Sequence, residues 1–240
     1  MWDSDAAYDR FMGRFSHRLA PLFADFVGVQ PGQRVLDIGA GTGALLAELV
    51  RRSAAAAAVE PSQAFVDALH ARFPGVDVRA AGAEDLPWPD GTFDSALAQL
   101  VLSFMSDAQR GVREMRRVAG TVAVCTWDRD GMELLAAIRR TRHALGFEDE
   151  PDRYRTPEEL ELLLGDGTEI EPLAVESEYA DFEDFWDAVV GGAGPAGVWA
   201  ASLDGEQRIA ARTELYRQLG EPGGPFTLTG RAWAAKATRA

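Results

Sequence analysis

The chain has 240 residues, 47% of them apolar, enough for one large domain with a substantial core. Its net charge of −14 resides wholly in Phe147 to Asp187, where 16 acids meet two bases, Arg153 and Arg155, while the remainder balances at 22 acids and 22 bases. Such a face repels phosphate backbones and anionic lipid, and no basic stripe interleaved with aromatics offsets it, so nucleic acid and membrane are excluded as expected partners and the tract reads as a solvated surface.

No run approaches the roughly 18 apolar residues of a membrane span, and the opening M-W-D-S-D-A-A-Y-D-R is acidic where a signal peptide is basic and then apolar. A cytoplasmic protein is expected. The lone Cys125, set in T-V-A-V-C-T-W, reads as a small buried hydrophobe.

In chain order, two N-terminal helices are predicted, Ala6 to Met12 and His17 to Val27, the second with Leu19, Leu22, Phe23, Phe26 and Val27 at helical spacing. Pro31-Gly32 is a turn. Arg34 to Ile38 follows as a strand and Ala44 to Arg52 as a helix. Alanine propensity in S-A-A-A-A-A-V-E favours a helix, but six apolar residues between Arg52-Ser53 and Glu60-Pro61 have the length of a central parallel strand, and a strand is the reading adopted. A helix from Ser62 to Phe73, strands at Val76 to Ala80, Phe93 to Ala98 and Thr121 to Thr126, and a helix from Asp107 to Val118 complete the alternation. W-D-R-D-G-M is expected to turn after the fifth strand. Helices at Met132 to Leu145 and Pro157 to Leu164 precede a sixth strand, Glu169 to Val175. Asp181 to Leu219 is a helical lid insertion, interrupted by G-G-A-G-P-A-G at 191–197, and Phe226 to Ala237 is the seventh strand.

This alternation predicts an α/β fold: a doubly wound, mostly parallel seven-stranded sheet with helices on both faces. One domain is expected over 1–240, with a helical flap at 1–30, a core at 31–180 and 220–240, and the lid at 181–219.

Three glycines directly after the first strand, in V-L-D-I-G-A-G-T-G, permit backbone to approach a ligand at the strand exit. Glu60, seventeen residues past Gly43 at the end of the second strand, is placed to accept from both hydroxyls of a ribose. A nucleoside ligand follows. G-A-G-T-G-A also fits the dinucleotide pattern, which keeps a nicotinamide-dependent oxidoreductase open as an alternative. Asp37, two residues before the first glycine, occupies a position usually apolar or glycine in nicotinamide and flavin binders.

V-L-D-I-G-A-G-T-G, then V-E-P-S, then A-E-D-L-P-W-P-D-G-T-F-D, in order and in spacing, resembles the class I S-adenosylmethionine-dependent methyltransferases, closest to the ubiquinone and menaquinone biosynthesis group. The resemblance is strong over Gln33 to Asp107. It implies S-adenosyl-L-methionine as cofactor, methyl transfer to a small-molecule substrate, and a Rossmann-like fold; a monomer or homodimer is expected. It places Asp37, Gly39, Ala40 and Gly41 at the methionine portion, Glu60 on the ribose, Pro61 against adenine, Ala83 and Glu84 at the adenine edge, and Gln99 at the methionine end. Tyr8 and Arg14, in the flap-like Y-D-R-F-M-G-R, would reach the cofactor carboxylate. Relatives often carry aspartate where this chain has Gly82, which shifts adenine selectivity toward Glu84.

An in-line displacement needs chiefly a nucleophile held behind the methyl group, and no metal is called for. A general base would usually be histidine. His70 and His143 read as surface residues, leaving His17 beside the flap as the one to test; no catalytic residue is assigned. Trp127, Phe185, Trp186 and Trp199 either wall an acceptor pocket or pack under the lid, and packing is the favoured reading. The lack of an obvious base keeps a non-catalytic cofactor-binding module as a further alternative.

Overall fold

Each apolar run after a turn signal becomes a strand, because strands covered on both faces have no polar side to show. The computed structural model describes residues 5–148, 153–191 and 194–239. Its strands are β1 (Arg34–Ile38), β2 (Ala55–Glu60), β3 (Asp77–Ala80), β4 (Phe93–Gln99), β5 (Ala119–Met132), β6 (Glu169–Tyr179) and β7 (Phe226–Thr238), in the order β3-β2-β1-β4-β5-β7-β6. β1 runs parallel to β2, with Asp37 opposite Ala58, and to β4, with Asp37 opposite Leu97; β2–β3 and β4–β5 are parallel too. The expected doubly wound sheet is present, with helices on both faces.

The alanine run is a strand because its position requires small side chains on both faces. Ala57 and Val59 join one buried cluster with Leu36, Ile38, Ala96, Val122 and the α5 helix (Ala108–Val118), while Ala58 joins another with Leu46, Val66, Leu69 and Val78. Tertiary burial thus overrides helix propensity. Helices α3 (Ala44–Arg51) and α4 (Gln63–Arg72) supply the second cluster, and Asp107 caps α5 by accepting from Arg110 N–H at 2.9 Å.

Four expectations need correction. The two N-terminal helices are one helical stretch: α1 (Asp5–Tyr8), a π-helical turn at Asp9–Gly13 and α2 (Arg14–Val27). The π turn at Gly13 takes the Asp9 carboxylate where a Cβ would stand, 2.7 Å from Oδ1, and the chain has no break there. W-D-R-D-G-M does not turn. It continues β5 to Met132, and Gly131 leaves the room that Arg231 fills, since a Cβ at Gly131 would lie 2.6 Å from Arg231 Nε. β6 likewise runs on to Tyr179; α6 (Glu133–Ala144) precedes the acidic tract and α7 (Pro157–Leu164) lies within it. In the glycine-rich interruption at 191–197, residues 192 and 193 lie outside the described set, and Gly194 to Gly197 open helix α9 (Gly194–Ser202), with Pro195 in the first turn, where its missing N–H costs nothing.

The chain divides into two contact units. The core unit comprises Ser16–Asp128, Arg153–Leu173 and Ala232–Ala240; the helical unit comprises Met1–Phe15, Arg129–Asp152 and Ala174–Arg231. These boundaries differ from the expected flap at 1–30 and lid at 181–219. The helical unit holds α6, α8 (Phe182–Val190), α9 and α10 (Gly205–Gln218) around an aromatic cluster: Tyr179 stacks on Phe226 at 5.3 Å and meets Phe185 edge-on at 5.2 Å.

The acidic tract is more than solvated surface. Glu159 closes a capping box with Thr156 on α7, Asp181 caps α8, and Glu169 pairs with Lys236 at 3.1 Å. Asp184 takes Arg14 in both oxygens, at 3.0 and 2.5 Å, and accepts from Ala180 N–H at 3.1 Å; Arg14 holds its carboxyl below the usual carboxylate range. With both side chains about a quarter to a third exposed, Asp184→Asn is expected to destabilise the fold by about 1 to 2 kcal/mol, read by urea denaturation. An unchanged midpoint would show the pair to be solvent-screened.

Candidate functional site

β1 leaves the sheet at Ile38, and the loop that follows is pinned from below: Gly39 and Ala40 N–H both donate to Val59 O, at 2.7 and 3.1 Å, and Gly43 N–H donates to Ala40 O at 2.8 Å. From α4, Arg72 donates to Thr42 O at 2.8 Å. All three glycines have positive φ, but they differ in what surrounds them. A Cβ at Gly39 would sit 2.8 Å from both Val101 methyl groups, and one at Gly43 would sit 2.8 Å from Leu69 Cδ2 and Phe73 Cε2. Those two glycines clear space for the protein's own packing. Only Gly41 opens outward, with nothing nearer than Gly39 O at 3.9 Å. A Cβ would thus meet the protein's own side chains at Gly39 and Gly43 and open space at Gly41.

Glu60, at the end of β2 and 6% exposed, holds this loop. Its Oε2 accepts from Gly41 N–H at 3.0 Å and its Oε1 from Ser62 N–H at 3.0 Å. Burial raises its pKa, against the pull of those two amides. Each oxygen retains an acceptor site after these bonds, the capacity that a pair of ribose hydroxyls requires. Pro61 is exposed beside it.

Asp37 lies in β1, 2% exposed, and its Oδ2 has no hydrogen-bond partner among the described residues. Burial and then the Glu60 charge push its pKa up to about 8, while the Leu46 amide pulls the other way. A buried acceptor without a donor is costly, and here it is not alone. At the end of the neighbouring β4, Gln99 donates through Nε2 to Ser16 O at 3.1 Å, which leaves Gln99 Oε1 and Ser16 Oγ buried without partners as well. Three unsatisfied oxygens thus belong to residues of β1, β4 and α2. Directly after Gln99, Leu100 takes φ of 63°, a conformation that costs a non-glycine residue about 1 kcal/mol or more, and its N–H donates to Cys125 O at 2.7 Å. Neither Ser16 nor Leu100 carries a sequence signal: one is a serine in a helix, the other a leucine whose strain exists only in the fold.

The remaining candidates fall in other places. Ala83 is buried in the loop after β3. Glu84 Oε1 accepts from Ser106 N–H at 2.8 Å, Ser106 Oγ at 2.9 Å and Asp107 N–H at 3.2 Å, so this oxygen ties the loop to the start of α5. Those bonds lower its pKa against desolvation. Only Oε2 remains for an adenine edge. It already crowds Gly82, where a Cβ would stand 3.0 Å away, so the glycine and the glutamate are a matched pair.

Tyr8 and Arg14 belong to the helical unit. Arg14 does not present a free guanidinium: besides Asp184 it donates to Glu178 O at 3.0 Å and Arg10 O at 2.9 Å, and it lies 4.8 Å over the Tyr179 ring. Tyr8, half-buried, precedes the π turn. His17, His70 and His143 are exposed, and His70 Nε2 lies 3.0 Å from Val78 O. Trp127, Phe185, Trp186 and Trp199 are buried. Cys125 is fully buried and its thiol pKa is raised by desolvation. Among the described residues no cluster of His, Cys, Asp and Glu could hold a metal, and no helix is long and apolar enough to cross a membrane.

Asp37 links folding to pH. Its carboxyl is protonated in the folded chain between its ordinary value of 3.8 and about 8, a range in which the unfolded chain has already released the proton. Stability from this group therefore falls as pH rises through that window and is gone above it. Thermal melts of the ligand-free protein from pH 6 to 9 are expected to show this fall, and Asp37→Asn is expected to flatten it; an identical slope in the variant would remove Asp37 as the cause.

The chain is similar to known proteins in sequence and in fold. Residues 36–122 match a family described as a methyltransferase domain. An uncharacterized methyltransferase of Mycobacterium tuberculosis is 32% identical over 157 residues, 63% of this chain and 62% of its own length. Demethylmenaquinone methyltransferase of Mycolicibacterium paratuberculosis is 32% identical over 138 residues, 53% of this chain and 59% of its own. The chain thus spans less than two thirds of the length of these curated relatives. The crystal structure of the YcgJ protein of Bacillus subtilis matches with a TM-score of 0.58 at 18% identity, over 93% of this chain and all of that one, which shows a shared fold. The resemblance drawn from the three sequence motifs is borne out.

Proposed function

We propose, for a chain whose residues 36–122 carry a methyltransferase domain, that it transfers a methyl group from S-adenosyl-L-methionine to a small-molecule acceptor by in-line displacement. The observation that carries this reading is the sign of the crevice. Its unsatisfied buried groups, Asp37 Oδ2, Gln99 Oε1 and Ser16 Oγ, can all accept hydrogen bonds, and two of its side chains are buried acids. An ammonium group brings three donors and a positive charge to such a set. A pyrophosphate brings only acceptors, with no donor for those oxygens, and negative charge that the Glu60 carboxylate would repel. The dinucleotide alternative is disfavoured on that ground, although the glycine pattern alone admits it.

Asp37, Gln99 and Ser16 would hold the methionine ammonium, and Glu60 would hold the ribose hydroxyls through its remaining acceptor sites. Gly41 supplies the opening in the loop. The cofactor, when bound, supplies a methyl group already activated on a positively charged sulfur. The chain's contribution is alignment and a buried, acceptor-rich surround that favours a ligand bringing donors. Because Glu60 is fixed by two backbone amides before any ligand arrives, little ordering is left for the binding step. None of the three histidines is buried at the crevice, so the proton of the acceptor is assigned to solvent or to the acceptor's own ionisation. The demethylmenaquinone methyltransferase relative supports an aromatic, small-molecule acceptor.

Calorimetric titration tests this. S-adenosylhomocysteine is expected to bind and NAD⁺ not to; Glu60→Gln, which keeps one acceptor oxygen for the loop, should weaken the nucleoside by about 1 to 3 kcal/mol. Tight NAD⁺ binding with none for S-adenosylhomocysteine would end the proposal.

A further inference from the structure

A second set of unsatisfied groups has the opposite character. In the helical unit, Trp199 on α9 is 5% exposed and its Nε1–H has no acceptor; Arg142, at the end of α6, has a buried Nε–H that also has none among the described residues. The two side chains adjoin, with the Arg142 guanidinium carbon 5.9 Å from the Trp199 ring centroid. Both orphaned atoms are obligate donors, and one carries formal positive charge. Thr141, also without a partner, lies roughly 100° around the helix from Arg142 and is not part of this pair.

The donors are held in place. Arg142 Nη2 donates to Glu148 O at 3.1 Å, which fixes the guanidinium plane. Helix α6 ends with Gly146 at φ 80° and with Phe147 N–H donating to Arg142 O at 3.0 Å, and this turn sets the Phe147 ring edge-on to Trp199, at 6.0 Å between centroids and 85° between planes. Trp199 O accepts from Ser202 Oγ at 2.7 Å. Arg142 and Phe147 are half-buried, so solvent is one side chain away. Two orphaned N–H donors and two perpendicular aromatic rings lie side by side here, a combination suited to an oxygen acceptor carried on a flat ring.

We infer that Arg142 and Trp199 form a recognition site for the anionic oxygen of an aromatic carboxylate or phenolate. The positive guanidinium selects an ionised oxygen over a neutral alcohol, and the rings select an aryl group over an aliphatic one. The site stands on these contacts alone and does not rest on the methyltransferase reading.

Benzoate is the probe, and the Trp199 indole N–H resonance, assigned by its loss in Trp199→Phe, is the readout. Benzoate is expected to move that resonance downfield along a saturable curve. Trp199→Phe and Arg142→Lys, each checked for an unaltered melt, should weaken benzoate by about tenfold or more as seen by calorimetry, and benzyl alcohol should bind the parent more weakly than benzoate by a similar factor. A Trp199 resonance that ignores benzoate, or one showing a cross-peak to a long-lived internal water that benzoate does not displace, overturns the inference. If S-adenosylhomocysteine fails to bind while Trp199 responds, the methyltransferase reading falls and this site stands. The reverse result removes this site alone.

Discussion

One carboxylate fixes the crevice. Glu60 is buried at the end of β2 and bonded to the amides of Gly41 and Ser62, so the loop after β1 and the start of α4 are fastened to the same side chain. Burying that charge is costly, and the two amides offset only part of the cost, since its pKa remains raised. Asp37, one strand away, has Leu46 N–H as an opposing influence but leaves Oδ2 without a donor. A fold that leaves a buried acid oxygen without a donor is incomplete until one arrives, and in the function proposed above this constraint, more than the glycine pattern, favours an amino-acid nucleoside over a dinucleotide.

The glycines divide the labour differently from what a motif suggests. Gly39 makes way for Val101 and Gly43 for Leu69 and Phe73, so these two determine how closely the 3₁₀ turn after β4 and helix α4 pack on the loop. Gly41 alone leaves an opening. Placement of the loop is thus a property of the core unit's packing, and the strained Leu100 on the other side of Val101 belongs to the same fitting.

Much of this was legible from the residues. Arg34–Ile38 and Pro157–Leu164 match their predicted bounds, and the alanine run is the strand that its flanks imply. Glu60 was legible because strand ends are fixed by turn residues, and the sequence counts the distance from glycine loop to acid. What was hidden depends on partners far apart in the chain. Arg14 looks available until Asp184, 170 residues later, takes it. β5 looks finished at Thr126 until Arg231 fills the space beside Gly131. Ser16 becomes interesting only because Gln99 uses its carbonyl and leaves its hydroxyl, and the Arg142–Trp199 pair exists only once two helices have packed.

A crystal structure of the protein with S-adenosylhomocysteine tests the central claim most directly. The account predicts the ammonium group against Asp37 Oδ2, with Gln99 and Ser16 as its other acceptors, and the ribose hydroxyls on Glu60. A nucleoside bound elsewhere, or Asp37 still without a donor in the complex, would contradict it.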